Sequence, residues 1–347
     1  MNKRLLFILS GICLLFLAPG LAHARVIGVI MPAANIPYFV AIQQGFEAEL
    51  KRQGVEVVPL EVKKPAPDET TGWLGFARRN APRSGTDKEE KGTAGHQGKQ
   101  VLEIAVQRPA PNDMSRKNSA RTLMALDATL ILAYGAGPAM AALSETNDLP
   151  IVYCGAFDPA GMGATGKNVT GVGANVPLKV LVNHLRKMTN FTKLGVLFSS
   201  DEADSVRQVE AVTALGVQVV KIDAVQGVDS IALPADIQAV LLTCAGAVQN
   251  QKAIEKIVGK ARTAKIGTAS VLGGSADLGV ILSMAANAEQ QAQEAAKLVT
   301  AILKGDSPSS LPAVAGDKIE LAVNLAGANA LGLNIPFELI ATAKVVK

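Results

Sequence analysis

The raw material of catalysis is scarce in this 347-residue chain, which has only 3 histidines and 3 cysteines. Beyond residue 24 the histidines are His96, in an irregular stretch, and His184, on an expected helix face. Ser-His-Asp or Cys-His machinery has almost nothing to be built from. The strings GxSxG, HExxH, CxxC and GxxxxGK[ST] do not occur, and no cluster of His, Cys, Asp or Glu has metal-ligand spacing. The expectation is a protein that is not an enzyme and needs neither cofactor nor metal.

Aromatic residues are also few, 4% of the chain with a single Trp, and charged residues make up 18%. The hydrophobic share is 49%, so the core must be made of Ala, Val, Leu and Ile. That composition suits buried parallel strands covered by Ala-rich helices. Lys3 and Arg4 set aside, 32 basic residues face 30 acidic ones. So slight a bias gives no footing for a nucleic acid or membrane-surface partner. After the N-terminal segment no apolar run reaches the roughly 18 residues of a membrane span.

The first 24 residues, MNKRLLFILSGICLLFLAPGLAHA, read as a secretory signal. Lys3 and Arg4 form the charged region, Leu5 to Leu17 the apolar region, and Ala22-His23-Ala24 the small-x-small cleavage site. Lipoprotein processing at Cys13 is disfavoured by Ile12 before it. A retained anchor stays open, since the run is borderline short for a span. The remaining cysteines, Cys154 and Cys244, each end an apolar strand. A disulfide between them would lock two lobes together, and two small buried hydrophobes is the favoured reading.

Two β-α alternations follow, separated by the stretch from Leu149 to Leu178. RVIGVIM at 25–31 is a buried strand. Pro37 opens a helix whose apolar positions are Phe39, Ile42, Phe46 and Leu50, and Gly54 ends it. Residues 63–99 break the pattern with Gly, Pro and mixed charge. They read as an insertion without regular structure, or as a lid anchored by Trp73. The insertion is flanked by an internal echo, VPLEVKKPAPDE at 58–69 and VLEIAVQRPAPND at 101–113, consistent with a local duplication that pushed a spare strand outward. Strands are then expected at 128–134, 151–154, 194–198, 217–222, 239–244, 266–270, 280–284 and 320–324, with helices between most of them. Such grammar predicts an α/β protein of two doubly wound parallel-sheet lobes joined by a hinge. The first lobe is placed at 25–157 plus about 285–318, the second at about 164–278 plus about 320–347. Hinge strands are expected at Phe157–Gly163, Ser270–Gly279 and Glu320–Ala326.

Gly161-x-Gly163-x-x-Gly166 matches a dinucleotide fingerprint only as a string. Asp158-Pro159 separates it from the strand before it, and it opens onto a strand, so no helix N-terminus would receive a pyrophosphate. More informative is the recurrence of polar or small residues just after buried strands. Asn35, Tyr38, Gly137, Asp158, Ser200, Glu202, Thr243 and Ser270 all stand there. Helix capping explains such residues one at a time. As a set they describe a ring around a small polar ligand at the carboxyl ends of the strands. Asp158 is the candidate partner for a ligand cation, with an Asp-Pro turn as its alternative role.

Three separated segments carry a family resemblance. They are LPIVYCGAFDPAG…GKNVTGVGANVPL, KLGVLFSSDEADSVRQVE and ELAVNLAGANALGLNIPFELIATA. They are similar to the I-P-[IV]-V-[FY]…DP…G-x-NVTG-[VI] crossover, the G-V-L-[YF]-x-x-x-E-A-[ND]-S turn and the L-x-V-N-x-x-x-A-x-x-L-G-[LI]-x-[IL]-P ending of ABC-transporter substrate-binding proteins with the type I periplasmic-binding fold. The resemblance covers the chain from about Ala120 onward, plus the first strand and helix. It implies a monomeric periplasmic receptor that captures a small solute, an amino acid or a related molecule, by hinge closure. The receptor would present the solute to an ABC permease and its ATPase. A periplasmic sensor feeding a signalling receptor is the alternative role. Three departures weaken transfer of ligand identity. Gly135-Ala136-Gly137-Pro138-Ala139 replaces the usual G-T-P-A, Leu242-Thr243-Cys244-Ala245-Gly246 replaces P-T-D-N, and the 63–99 insertion is extra.

Overall fold

The computed structural model describes residues 24–62 and 101–347. Residues 1–23, expected to belong to a secretory signal, and the 63–99 insertion, with Trp73 and His96, lie outside the described residues.

The first lobe starts with β1 (Arg25–Ile30), α1 (Pro37–Arg52), β2 (Glu56–Pro59) and β3 (Val101–Gln107). It continues with α2 (Asp113–Ala125), β4 (Ala128–Tyr134), α3 (Ala136–Leu143), β5 (Ile151–Ala156) and β6 (Val169–Gly173). Its sheet has the order β2-β3-β1-β4-β5-β6, and every pairing in it is parallel. The strands β1, β4, β5 and β6 are buried on both faces, as parallel pairing with crossover helices requires. The first copy of the echo begins in the last two residues of the edge strand β2, while the second begins with β3, which is inserted next to β1. Pro59, which has no amide to donate, is tolerated on that edge.

The second lobe contains α4 (Leu178–Thr189), β7 (Lys193–Phe198), α5 (Ala203–Thr213), β8 (Gln218–Asp223), β9 (Ala239–Leu242), α6 (Gly246–Gln249), α7 (Gln251–Thr263), β10 (Gly267–Ser270) and β11 (Leu282–Ala286). The chain then returns to the first lobe for α8 (Ala288–Leu303), which packs on α1, β5 and β6. It comes back once more for β12 (Ile319–Asn324), α9 (Leu325–Ala330), α10 (Phe337–Thr342) and β13 (Lys344–Val346). The second sheet has the order β13-β12-β11-β10-β9-β7-β8, with β12 antiparallel to β11. Helix positions follow apolar spacing. In α4, Leu178, Leu181, Val182, Leu185 and Met188 form the buried stripe, and Asn190 ends the helix in the left-handed region.

The boundary between lobes differs from the one expected from sequence. The strand Val169–Gly173, assigned there to the second lobe, pairs with β5 in the first sheet. Phe157–Gly163 therefore joins two neighbouring strands of one lobe, and Ser270–Gly279 and Glu320–Ala326 lie within the other. The crossings lie after Gly173, between β11 and α8 at Asn287, and between α8 and β12. Pairing partners, which no local pattern specifies, decide such boundaries.

The crossings are tied to one another. Gly173 donates its amide to Val314 O at 2.9 Å, and Asn287 donates its own to Lys318 O at 2.7 Å. Gln291, fully buried on α8, donates to Gly173 O at 2.7 Å and accepts from the Gly155 amide at 2.9 Å. An apolar cluster continues through Val172 and Val176 from the α1 and α8 face of the first sheet to the α4 and α5 face of the second.

Candidate functional site

The carboxyl ends of the strands of both lobes face each other across a cavity of about 240 Å³. The first lobe contributes Met31, Ile36, Phe39, Arg116, Tyr134 and the start of α3. The second contributes Asp201, Glu202, Asp204, Cys244 and the start of α6. The apolar wall is ordered from behind. Phe39 packs edge-on against Tyr134 with ring centroids 5.9 Å apart, and the Tyr134 hydroxyl donates to Gln43 Oε1 at 2.7 Å.

The polar wall grows from the loop after β7. Glu202 precedes α5, and its Oε1 accepts the Gly246 amide at 2.8 Å, which fixes the start of α6. Asp204, in the first turn of α5, reaches across the cleft. Its Oδ2 accepts the Ala136 amide of α3, in the other lobe, at 2.7 Å. The close approach depends on Gly135, whose φ of 93° places the turn in a region that glycine tolerates. The amides of Gly137 and Phe157 also face the carboxyl. Asp204 Oδ1 is nevertheless buried and has no hydrogen-bond partner among the described residues. Arg116 lies over the first turn of α3, where a Cβ on Gly137 would come within 3.2 Å of its Nη1.

Burial dominates the electrostatics. It pushes Glu202 up to about 7, against the opposing pull of Arg116 and the Gly246 and Ala247 amides. It pushes Asp204 up to about 6, against the amides of Ala136, Gly137 and Phe157 and the charge of Arg116. The Cys244 thiol is raised well above its usual range by burial first and by Asp204 and Glu202 next. Such a thiol stays protonated and is a poor nucleophile. Cys154 and Cys244 are both free.

Of the eight residues singled out in the sequence, Gly137 and Glu202 stand in the cavity wall. The other six lie elsewhere. Asn35 is exposed between two lining residues, Ala34 and Ile36. Tyr38 is buried behind the wall, its ring next to Gly155 and Gly273. Ser200 is exposed, with its amide donated to Asp223 Oδ1 at 3.1 Å. The Thr243 hydroxyl is buried between Ser205 Oγ and Leu197 O, and Ser270 is consumed by Gln249. Asp158 is not among the cavity-lining residues, and it pairs with Arg207 of the second lobe at 2.5 Å. Its φ of 45° fits the alternative role, a turn before Pro159.

Sequence reasoning misses Arg116, Asp201, Asp204 and Tyr134. Asp204 carries a signal, since it sits inside the Glu202-Ala203-Asp204-Ser205 string that supports the resemblance. Arg116 carries none, being one of several basic residues on an amphipathic helix. Among the described residues no group of His, Cys, Asp and Glu is arranged to hold a metal ion. No described helix is long and apolar enough to cross a membrane.

A family model described as ABC transporter substrate binding protein matches residues 89–347. A conserved domain protein from Vibrio cholerae has a similar structure, with a TM-score of 0.75 and 23% identity over 93% of this chain and 99% of that one. So does an ABC domain from Streptococcus pneumonia in complex with L-Trp, with a TM-score of 0.72 and 19% identity over 93% of this chain and 100% of that one. A ligand-free, open substrate binding protein with adhesive properties from Clostridium difficile is less similar, with a TM-score of 0.57 and 20% identity over 93% and 99% of the two chains. The sequence matches none of the curated proteins it was compared with.

Proposed function

Because this chain belongs to the ABC transporter substrate binding protein family, we propose that it is an exported, non-enzymatic receptor that closes two lobes around a small solute. It then delivers the solute to a membrane permease and its ATPase. The observation that carries the proposal is the cavity itself, with walls from both lobes and a bond across it from Asp204 to Ala136. A solute touching both walls contacts the closed form better than the open one, and that difference shifts the population. The three crossings beside Gly173, Asn287 and Val314 supply the hinge. The small volume and apolar lining suit a compact solute of about amino-acid size, in keeping with the L-Trp held by one structural relative. Export rests on the signal-like sequence of residues 1–24.

The test is a thermal-shift screen against amino acids, amines, small carboxylates, purines and sugars. A true solute at about 100 times its Kd should add about 2.7 kcal/mol of stability. Gly246→Phe should abolish the shift while leaving the fold intact. A Cβ there meets only ordinary contacts, 3.6 Å from Glu202 Oε1 and 3.8 Å from Ile36, and the ring would fill the cavity. A shift that survives in this variant places binding somewhere else.

A further inference from the structure

Resting on that solute-binding reading, we propose that the solute is a small organic cation selected by Asp204. Chemically it is a primary or secondary amine on a compact hydrocarbon body, without a carboxylate. The amides that would receive a solute's carboxylate are already engaged by the protein. Ala136, at the positive end of α3, donates to Asp204 Oδ2 at 2.7 Å, and Gly246, at the start of α6, donates to Glu202 Oε1 at 2.8 Å. A carboxylate arriving at either place would displace a protein carboxylate or lie against it, and like charges in a cavity of low polarity repel strongly.

The charge balance points the same way. Glu202 and Asp204 are two carboxylates facing one cation, Arg116, which makes no ion pair with either, although its charge acts on both. Asp201, at the exposed rim, receives the Ser199 hydroxyl and adds to the negative side. One positive charge on the solute would offset the excess, whereas a zwitterion would leave it unchanged. An acceptor for the solute's N–H would be uncovered when the cleft opens to admit it. Asp204 Oδ1 is buried in the cavity wall and unpartnered among the described residues. Met31, Ile36, Phe39 and Pro138 would hold the hydrocarbon part.

The proposal is tested by isothermal titration at pH 8 with two matched series. One is isoamylamine, leucine and 4-methylpentanoate; the other is phenethylamine, phenylalanine and 3-phenylpropionate. The amine of at least one series should bind about tenfold or more tightly than its amino acid, with no detectable binding of the acid. Asp204→Asn keeps an oxygen for the Ala136 amide but removes the charge, and should weaken the amine about tenfold or more. Glu202→Gln provides the same comparison if the first variant does not fold. An amino acid that binds as tightly as its amine, or an amine indifferent to both variants, overturns the proposal. If neither series binds but another solute class shifts the melting transition, the cation proposal fails and the receptor reading stands. If no class shifts it, the receptor reading fails as well.

Discussion

Gln291→Leu should cost the protein about 3–5 kcal/mol, although Gln291 does not itself line the cavity and the side chains are close in size. The fully buried amide serves two backbone groups from different strands, the Gly173 carbonyl at 2.7 Å and the Gly155 amide at 2.9 Å. Leucine would leave both unsatisfied in the interior, at about 1–3 kcal/mol for each orphaned group. Gly173 is also the last residue of β6 before the chain leaves the first lobe, so the damage falls on a crossing. The measurement is the urea midpoint at constant m. Gln293→Leu, two residues along the same helix and bonded only to exposed Glu289, should change stability by no more than about 0.5 kcal/mol. Equal effects of the two substitutions would show that Gln291 is not the tie between crossings described here.

Acidification should stabilise the ligand-free protein. Glu202 is raised from 4.5 to about 7 and Asp204 from 3.8 to about 6, both by burial. Between about pH 4 and pH 7 the folded state therefore binds more protons than the unfolded state. Stability then falls as pH rises through that window. Each carboxyl taken alone contributes on a scale of about 3 kcal/mol, since a tenfold change in proton affinity is worth about 1.4 kcal/mol. His184, lowered by burial and Lys187, opposes the trend, but it is only partly buried and its effect is screened. Asp223, lowered by its bonds with Ser200 and Val225, opposes it only in more acidic solution. The expected result is a Tm about 5–10 °C higher at pH 5 than at pH 8. A bound cationic solute should flatten the difference by favouring the ionised carboxyls. A Tm at pH 5 equal to or below that at pH 8 would contradict the placement of these two groups.

Much of the architecture is legible in the sequence because it is local. The stretches RVIGVI and ATLILAY have no polar face, and only a strand covered on both sides can use them. The α1 stripe and the Pro37 start likewise specify a helix with one buried face. The fate of β6 is not local. VTGVG is short, follows a glycine-rich turn and could pair on either sheet, so its membership is settled by packing against β5. The start of α3 is hidden for a similar reason. A helix beginning at Ala136 has glycine and proline in its first turn, and the carboxyl that satisfies its first amide comes from Asp204, 68 residues away.

The site is less legible than the fold. The rule that ligands meet strand ends finds the right loops but not the right atoms. Ser200 and Asp201 are neighbours, yet Ser200 turns to Asp223 while Asp201 faces the cavity. Thr243 and Ser270 follow buried strands as a pocket residue would, but each spends its hydroxyl inside the lobe. A sequence shows which side chains can bond, whereas the competition among internal partners is decided only once the chain has packed.

Closure around a solute is most directly measured by small-angle X-ray scattering, on the protein alone and at saturation with a solute found in the thermal screen. The expected result is a smaller radius of gyration in the bound protein, because a solute held by both Phe39 and Glu202 favours the form in which Asp204 meets Ala136. A radius unchanged by a solute that calorimetry shows to be bound one-to-one would contradict capture by closure.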